Sequence, residues 1–271
     1  MFSESYKAAV IQMNSQTDLQ ANLDSAYQYI EESVEKGAKV VGLPENFAFL
    51  GGLSMRMKKA DTIAKEVPKF LAETAKEFEV HIMGGSYPVP ADGGKVFNHS
   101  PFYTPDGKEV QSYNKIHLFD VDLDNDESYR ESDYVQSGNP EAVIYESNQI
   151  GNWGLSVCYD LRFPELYRKL VAGGAEILSI PSAFTYTTGQ DHWQPLLRAR
   201  AIENMSYVFA PAQTGLHGKN RKTWGHAMII DPWGHVISDV GQEPGIATAE
   251  INPKKVQQVR SQIPSLNHRR M

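Results

Sequence analysis

The sequence predicts an α/β fold in which two β-sheets pack face to face, with helices on the outer side of each sheet. Short β-branched runs alternate along the chain with amphipathic helical stretches, which is typical of sheets covered by helices. The predicted strands far outnumber the predicted helices, which favours two packed sheets. No repeat, linker or hinge divides the 271 residues, so we predict a single domain over residues 1–271.

The individual elements follow from periodicity and from turn residues. Apolar side chains at helical spacing predict a helix over residues 19–35 that ends near Gly37, and a second helical region that ends near Phe78. Two further helices are predicted over 163–172 and 191–204. Strands are predicted over 6–13, 39–43, 80–83, 96–103, 109–113, 142–146, 153–158, 176–180, 207–210, 227–230, 236–238 and 246–251.

Composition and charge exclude several classes of protein. Lys and Arg total 26 against 33 Asp and Glu, a net charge of −7, which argues against nucleic acid as a partner. The N-terminus lacks an apolar signal core, and no apolar run is long enough to span a bilayer. The single cysteine excludes an intrachain disulfide and cysteine-cluster metal sites. We therefore expect a cytoplasmic protein with no membrane partner.

That single cysteine, Cys158, is the first candidate for chemistry. It ends the apolar run Gly154-Leu-Ser-Val-Cys158, and the following turn leads into a predicted helix. The carboxyl end of a strand is where α/β sheets bind ligands, and a helix N-terminus favours a thiolate. From its position alone, Cys158 could equally be a small buried apolar residue with no role in chemistry. We expect ion pairs among Asp160, Arg162 and Glu165 to fix the turn.

Two charged residues could activate such a thiol. Glu45 directly follows an apolar strand, so we expect it at the same sheet edge as Cys158. Burial among aromatic neighbours would raise its proton affinity, as a general base requires, whereas a surface helix-capping glutamate is the alternative. Lys115 lies in a partly apolar stretch and could hold a thiolate or a developing oxyanion. A surface lysine is the commoner role for any one lysine.

Together, the three stretches resemble the nitrilase superfamily of carbon–nitrogen hydrolases. The matching motifs are Leu43-Pro-Glu45, Tyr113-Asn-Lys-Ile-His-Leu118 and Val157-Cys-Tyr-Asp-Leu-Arg-Phe-Pro-Glu-Leu166. The resemblance runs along nearly the whole chain. It implies the family's four-layer αββα sandwich, a catalytic triad of Glu45, Lys115 and Cys158, a homodimer, and hydrolysis with neither metal nor cofactor.

Glu131 matches a second glutamate that the family often carries between its lysine and its cysteine. The resemblance implies that Glu131 orients Lys115 and Glu45 by hydrogen bonding. Residues 120–131 also nearly fit an EF-hand calcium loop, with acids at positions one, three, five and twelve. Because Asn125 stands where that loop requires glycine, and a strand rather than a helix is predicted before it, we favour a solvated acidic loop that ends in Glu131.

Two other classes of function stay open beside this interpretation. A cysteine peptidase or acyltransferase would pair Cys158 with a histidine, and the candidates are His117, His192 and His226. A non-catalytic binding module of the same fold is the other alternative, although such a module has no physical need of all three triad residues.

Residues 181–193, 196–203 and 224–234 are similar to the amidase branch of the family. Within it the resemblance is nearest to deaminated glutathione amidases, then to omega-amidases, with nitrilases more distant. It implies a small carboxylate-bearing amide as the substrate and a thioester on Cys158. Lys115 and the backbone N–H of Tyr159 would hold the oxyanion of the tetrahedral intermediate.

Residues outside the triad are predicted to bind the substrate. Three residues that follow the strand at 176–180 would line the acyl pocket: Phe184, Thr185 and Tyr186. Residues 217–224 form a cationic loop in an otherwise acidic chain, and Arg221 there is well shaped to hold the carboxylate of a leaving group. For Lys219 and Lys222 a solvated turn is the favoured interpretation.

Overall fold

The computed structural model describes residues 4–122 and 128–270. Its helices are α1 (Leu19–Glu35), α2 (Leu53–Glu77), α3 (Pro164–Ala172), α4 (Tyr186–Asn204) and α5 (Pro253–Gln262). Its strands are β1 (Tyr6–Met13), β2 (Ala38–Gly42), β3 (His81–Met83), β4 (Tyr87–Pro90), β5 (Val96–Tyr103), β6 (Glu109–Asn114), β7 (Asp120–Asp122), β8 (Ser128–Arg130), β9 (Ile144–Tyr145), β10 (Trp153–Leu155), β11 (Ile177–Ser179), β12 (Tyr207–Ala210), β13 (Ala212–His217), β14 (Arg221–Trp224), β15 (Met228–Ile230), β16 (Val236–Asp239) and β17 (Gly245–Ile251).

Two large sheets form the centre of the molecule. Over the described residues, the first sheet has nine strands in the order β14-β13-β1-β2-β3-β5-β4, with β17 also paired to β1 and β6 to β5. The second has six strands in the order β16-β15-β12-β11-β10-β9. Strands β1, β2 and β3 are parallel, as are β10, β11 and β12, so each sheet collects strand carboxyl ends along one edge.

Successive side chains of β1 pack into two different apolar cores, which shows how the layers are arranged. Ala8 and Val10 belong to the apolar core that also contains the second sheet, whereas Ala9 and Ile11 belong to the core shared with α1 and α2. Since successive side chains of a strand point to opposite faces, the first sheet is covered on one side by the second sheet and on the other by helices. Helices α3 and α4 contact the second sheet and each other. The predicted four-layer αββα sandwich is therefore confirmed.

The two ends that carry the predicted base and nucleophile belong to different sheets. Glu45 follows β2 of the first sheet, and Cys158 follows β10 of the second. The expectation of a shared sheet edge was wrong. The two residues meet across the sandwich, because the sheets stack with these strand ends at the same end of the molecule.

Several elements differ from the sequence-based expectation. Helix α4 begins at Tyr186, five residues before the predicted start. Its first turn was missed because that turn is polar and contains a glycine, Gly189. Glycine is needed at this position, since a Cβ would lie 2.3 Å from the Trp224 Cβ. Strand β13 directly follows Pro211 and contains Gly215, and neither residue favours a strand. Helix α5, which has Pro253 at its first position, was not predicted. None of the helices in the described ranges is long and apolar enough to cross a membrane.

Candidate active site

Glu45 lies three residues beyond the end of β2, in a segment that is fixed by close backbone contacts. Gly85 has a left-handed backbone, with φ of 57°, and a Cβ there would lie 2.2 Å from the Pro44 carbonyl oxygen. The hydroxyl of Ser86 accepts a hydrogen bond from the N–H of Asn46, which itself has a φ of 54°. The Glu45 side chain is consequently held in place and is only 2% exposed.

Lys115 joins two buried carboxylates. Its Nζ lies 3.1 Å from Glu45 Oε1 and 2.9 Å from Glu131 Oε2, and the lysine is 2% exposed. Burial alone would lower the pKa of Lys115, but the charges of Glu131 and Glu45 outweigh it and raise the pKa above the ordinary lysine value. The lysine is thus a buried ammonium at neutral pH. Glu131 also accepts the N–H of Phe119 at 2.7 Å.

The remaining contacts of Glu45 come from both halves of the sandwich. Oε1 accepts from Asn98 Nδ2 at 2.8 Å, and Oε2 accepts the backbone N–H of Ala183 at 2.8 Å. Burial tends to raise the pKa of Glu45, but the positive charges of Lys115 and then Arg221 reverse that effect and lower it. The expected rise in proton affinity was wrong, because the sequence shows the aromatic neighbours of Glu45 and not the cations that face it.

Cys158 opens a short 3₁₀ helix with an unusual backbone. Its φ of 48° is left-handed, a conformation that non-glycine residues adopt rarely and that is frequent at functional sites. Its N–H donates to the Pro181 carbonyl at 3.0 Å, which fixes the turn against the strand end after β11. Burial, followed by the charge of Glu45, raises the pKa of the thiol, so Cys158 is protonated in the resting site.

Asp160 connects the lysine segment to the cysteine turn. Its fully buried carboxylate accepts the Tyr113 hydroxyl at 2.7 Å, the Val157 N–H at 2.8 Å and the His117 N–H at 3.1 Å. His117 Nδ1 also lies 2.7 Å from it. These contacts tie residues two positions after Lys115 to residues around Cys158, so one carboxylate fixes the relative position of both segments.

The predicted ion pairs among Asp160, Arg162 and Glu165 do not form within the described residues. Asp160 is occupied as above, and the Arg162 guanidinium lies over the Phe184 ring at 5.3 Å and the Tyr159 ring at 5.9 Å. The expectation was wrong because the ring of Tyr159 in the same turn and the ring of Phe184, rather than the nearby acids, contact the arginine.

The calcium-loop alternative falls partly on residues 123–127, which lie outside the described residues. The described ends of the pattern form the antiparallel strands β7 and β8, and the element that precedes the pattern is the strand β6 rather than an EF-hand helix. The last acid of the pattern, Glu131, is turned to Lys115 and the Phe119 N–H. The strand pair of β7 and β8 is therefore followed directly by a residue that supplies a carboxylate to the site.

A cavity of about 420 Å³ opens above Cys158. The three triad residues and Glu131 line it, together with four residues predicted to bind substrate: Tyr159, Phe184, Thr185 and Arg221. Lys219 borders it from an exposed turn, which agrees with the favoured solvated turn. Tyr186 and Lys222 do not line the cavity, so the expectation that Tyr186 is a pocket residue was wrong. The Tyr186 ring instead contacts the Lys222 ammonium, which lies over it at 3.7 Å.

The histidines proposed as partners of Cys158 lie elsewhere. None of the three lines the cavity, since His117 contacts Asp160, His192 lies 3.4 Å from Arg162, and His226 contacts Asp239. A Cys–His pair is therefore not supported by the geometry.

Three residues of the site were missed by sequence reasoning. Arg56, in the first turn of α2, lines the cavity and donates to Asn46 Oδ1 at 3.0 Å. Asn98 holds Glu45 from β5. His217 is buried with both ring nitrogens occupied, by the Ser15 carbonyl and the Thr223 hydroxyl, and burial lowers its pKa to about 4. No local pattern marked these residues, because each becomes part of the site only through long-range packing.

Comparison with known proteins agrees with this geometry. The profile of the carbon–nitrogen hydrolase family matches residues 7–261. The chain is 51% identical over 266 residues to a deaminated glutathione amidase from Synechocystis sp., covering 97% of this chain and 98% of that protein. It is 34% identical over 266 residues to an omega-amidase from Homo sapiens, covering 98% and 95% of the two chains.

Solved structures show the same architecture. The crystal structure of the Caenorhabditis elegans NitFhit protein superposes with a TM-score of 0.92 at 37% identity, over 100% of this chain and 66% of that larger one. A Saccharomyces cerevisiae member of the nitrilase superfamily superposes with a TM-score of 0.87 at 29% identity, over 97% and 96% of the two chains. The full-length family match, the relatives and the fold together show that this chain belongs to the carbon–nitrogen hydrolase family, in its amidase branch.

Proposed function

We propose that this amidase cleaves the carbon–nitrogen bond of a small carboxylate-bearing amide through an acyl-thioester on Cys158. The observation that carries the proposal is the convergence of Cys158, Glu45 and Lys115 at the floor of one cavity, with Glu131 behind the lysine. Deaminated glutathione is the substrate favoured by the 51% identical relative. The 34% identical omega-amidase supports short omega-amides of 2-oxo acids as the second candidate.

Glu45 begins the reaction as a general base. It is a carboxylate and Cys158 is a thiol in the resting site, so the proton passes from Sγ to Glu45 as sulfur attacks the amide carbonyl. Glu45 then gives that proton to the departing amine as the carbon–nitrogen bond breaks. Water, deprotonated by Glu45, attacks the resulting thioester, and the carboxylic acid product leaves with the thiol restored.

Lys115 stabilises the oxyanion of both tetrahedral intermediates. The Lys115 ammonium contacts Glu45 Oε1 and both carboxylate oxygens of Glu131, and it also lines the cavity, so one of its three N–H donors can turn to the substrate oxygen when the amide binds. The N–H of Tyr159, directly after the nucleophile, is the second proposed donor. Each such contact lowers the barrier by about 3 kcal/mol. Glu131 does not touch the substrate in this scheme, and it positions the lysine.

Turnover of a panel of amides and nitriles tests the proposal. We expect carboxylate-bearing amides to be hydrolysed and nitriles to be poor substrates, and we expect a stalled reaction to show an acyl adduct on Cys158 by intact-mass analysis. Cys158→Ala should abolish turnover with little change in melting temperature, because only one sulfur atom is removed. Retained turnover in that variant would overturn the mechanism.

We also propose that the chain acts as a homodimer in the cytoplasm. Two large apolar side chains, Ile202 and Trp233, are 51% and 46% exposed on neighbouring parts of the surface, and Gly234 packs against Ile202. Exposed apolar side chains that adjoin one another favour association. Sedimentation at working concentration should give about twice the 30.3 kDa chain mass, and a monomer would contradict the dimer.

A further inference from the structure

Two arginines flank Glu45 in the cavity, and only one of them was expected there. Arg56 donates from Nη1 to Asn46 Oδ1, and Asn46 is the residue after Glu45. Arg221 donates from Nη2 to the Ala183 carbonyl at 3.4 Å, and the N–H of Ala183 holds Glu45. The two guanidinium groups thus approach the site from α2 and from β14 respectively.

Neither arginine has a carboxylate partner within the described residues. Arg56 is only 6% exposed, and its Nε is shielded from solvent with no hydrogen-bond acceptor. The Nε of Arg221 is likewise shielded from solvent and has no hydrogen-bond acceptor. Burial, followed by the charge of Arg221, lowers the pKa of Arg56 to about 10. Buried arginines are normally paired with an acid, so one buried and one half-buried arginine that line a single cavity without a carboxylate partner among the described residues favour an anion from outside the chain.

The charges of the cavity lining support the same conclusion. Among the described lining residues, three buried or half-buried cations face two carboxylates, and both carboxylates contact Lys115. The excess positive charge therefore belongs to Arg56 and Arg221. With the exposed Lys219 included, four lining cations face two carboxylates, so the two carboxylates of a 2-oxo acid amide with an acidic leaving group would bring the cavity close to neutrality.

The position of these residues decides which part of the ligand they meet. Cys158 lies at the buried floor, whereas the segments that carry the arginines also carry the exposed lining residues Gly52, Met55 and Lys219. A leaving group larger than the acyl part would extend from the floor toward that open side, since the lining there is exposed. Resting on the proposed function, we propose that Arg56 and Arg221 together bind the carboxylate of the amine leaving group and so select amides with an acidic, peptide-like amine.

A comparison of two substrates tests the role of Arg56. One is a 2-oxo acid amide whose peptide-like leaving group ends in a free carboxylate, and the other is the same compound with that carboxylate converted to a carboxamide. Arg56→Gln should raise KM about 10- to 100-fold for the first substrate, because a charge-assisted contact is lost, and should leave KM for the second nearly unchanged. Lys59→Gln, an exposed position on the same helix, is the matched control and should alter neither.

Binding measurements make the test independent of turnover. In a Cys158→Ala background, calorimetry should show that Arg56→Gln weakens binding of the free-carboxylate compound only. Combining Arg56→Gln with Arg221→Ala should cost less than the product of the single effects, since both would hold one carboxylate. If Arg56→Gln lowers the melting temperature strongly, Arg56→Lys, which keeps the charge without the planar fork, replaces it and should give a smaller loss on the same substrate.

The outcomes separate the two proposals. Equal losses on both compounds, or no loss on either, would overturn the carboxylate-binding role of Arg56 while leaving the amidase mechanism intact. Wild-type protein that hydrolyses neither compound would count against the proposed function, and the calorimetric comparison would still decide whether Arg56 recognises the carboxylate.

Discussion

The charged groups at the floor of the cavity, beside Cys158, are paired with one another. At its mouth, the part lined by Arg56 and Arg221, the charged groups have no carboxylate partner among the described residues. At the floor, Lys115 lies between Glu45 and Glu131 and contacts them at 3.1 and 2.9 Å, and each carboxylate accepts a further N–H. At the mouth, Arg56 and Arg221 each keep a buried Nε without a partner among the described residues. The floor is complete before the substrate arrives, whereas the mouth is completed by it.

This difference separates catalysis from recognition. Groups that stabilise a transition state work best when they are already oriented, because no reorganisation is then needed during the reaction. Groups that select a substrate work by being left unpaired when the wrong compound binds. Substitutions at the floor should therefore lower kcat for every substrate, and substitutions at the mouth should change KM for some substrates only.

The largest effects are expected at the floor. Glu45→Gln keeps the size of the side chain but removes its basic form, and Lys115→Met removes the oxyanion contact, so each should lower kcat by roughly 100-fold or more on any amide. Lys115→Arg should not restore activity, because the planar guanidinium has a different reach from the ammonium. Steady-state kinetics on two unrelated amides measures this.

His117→Ala and His192→Ala are the comparison variants for the floor. Their losses should be far smaller than that of Glu45→Gln, since neither ring lines the cavity. A loss of kcat in His192→Ala as large as that in Glu45→Gln would favour a histidine-dependent mechanism and contradict the distinction between floor and mouth.

At the mouth, Arg221→Ala should affect substrates unequally. KM for a deaminated-glutathione-type amide should rise about tenfold or more, because its leaving group carries a carboxylate, while a short omega-amide should change little. The charge of Arg221 also acts on Glu45, but that effect is common to both substrates and cancels in the ratio of their kcat/KM values. An equal change in KM for both substrates would mean that Arg221 does not recognise the carboxylate of the leaving group, and would favour the omega-amidase reaction.

The smallest effect is a shift in the ionisation of the nucleophile. The Glu45 carboxylate raises the pKa of Cys158 and the Lys115 ammonium lowers it. Glu45→Gln should therefore lower the thiol pKa, and Lys115→Met should raise it further. The ultraviolet absorbance of the thiolate measures this directly, with Cys158→Ala subtracted to remove tyrosine ionisation, because the chain has one cysteine. A Glu45→Gln thiol that titrates no lower than the wild-type thiol would mean that the carboxylate does not act on the sulfur.

Periodic elements of the fold could be predicted closely from the sequence. The bounds of α1, β1, β5 and β12 agree with the expected ranges to the residue, because each has a clear apolar repeat bounded by turn residues. The hairpin of β5 and β6 was confirmed as antiparallel. Strands β4, β13 and β14 and helix α5 were missed, since their positions are set by pairing or docking with distant parts of the chain.

The site shows the same division between local pattern and long-range contact. Glu45, Lys115 and Cys158 stand in local motifs, and the structure brings all three together with Glu131. The pKa direction of Glu45 could not be predicted, because it depends on Lys115, which lies 70 residues further along the chain. Arg56 carries no motif at all, and only the packing of the first turn of α2 against the Asn46 side chain reveals it.

The protonated state of Cys158 also governs how the protein responds to oxidants. Peroxides and electrophiles attack the thiolate, so a thiol whose pKa is raised reacts slowly between turnovers. The chain has no second cysteine with which a sulfenic acid on Cys158 could form a disulfide, so this damage cannot be reversed within the molecule. Burial, and then the negative charge of Glu45, thus protect the sulfur that this carboxylate later activates, so the ionisation of Glu45 contributes to the lifetime of the enzyme under oxidative stress.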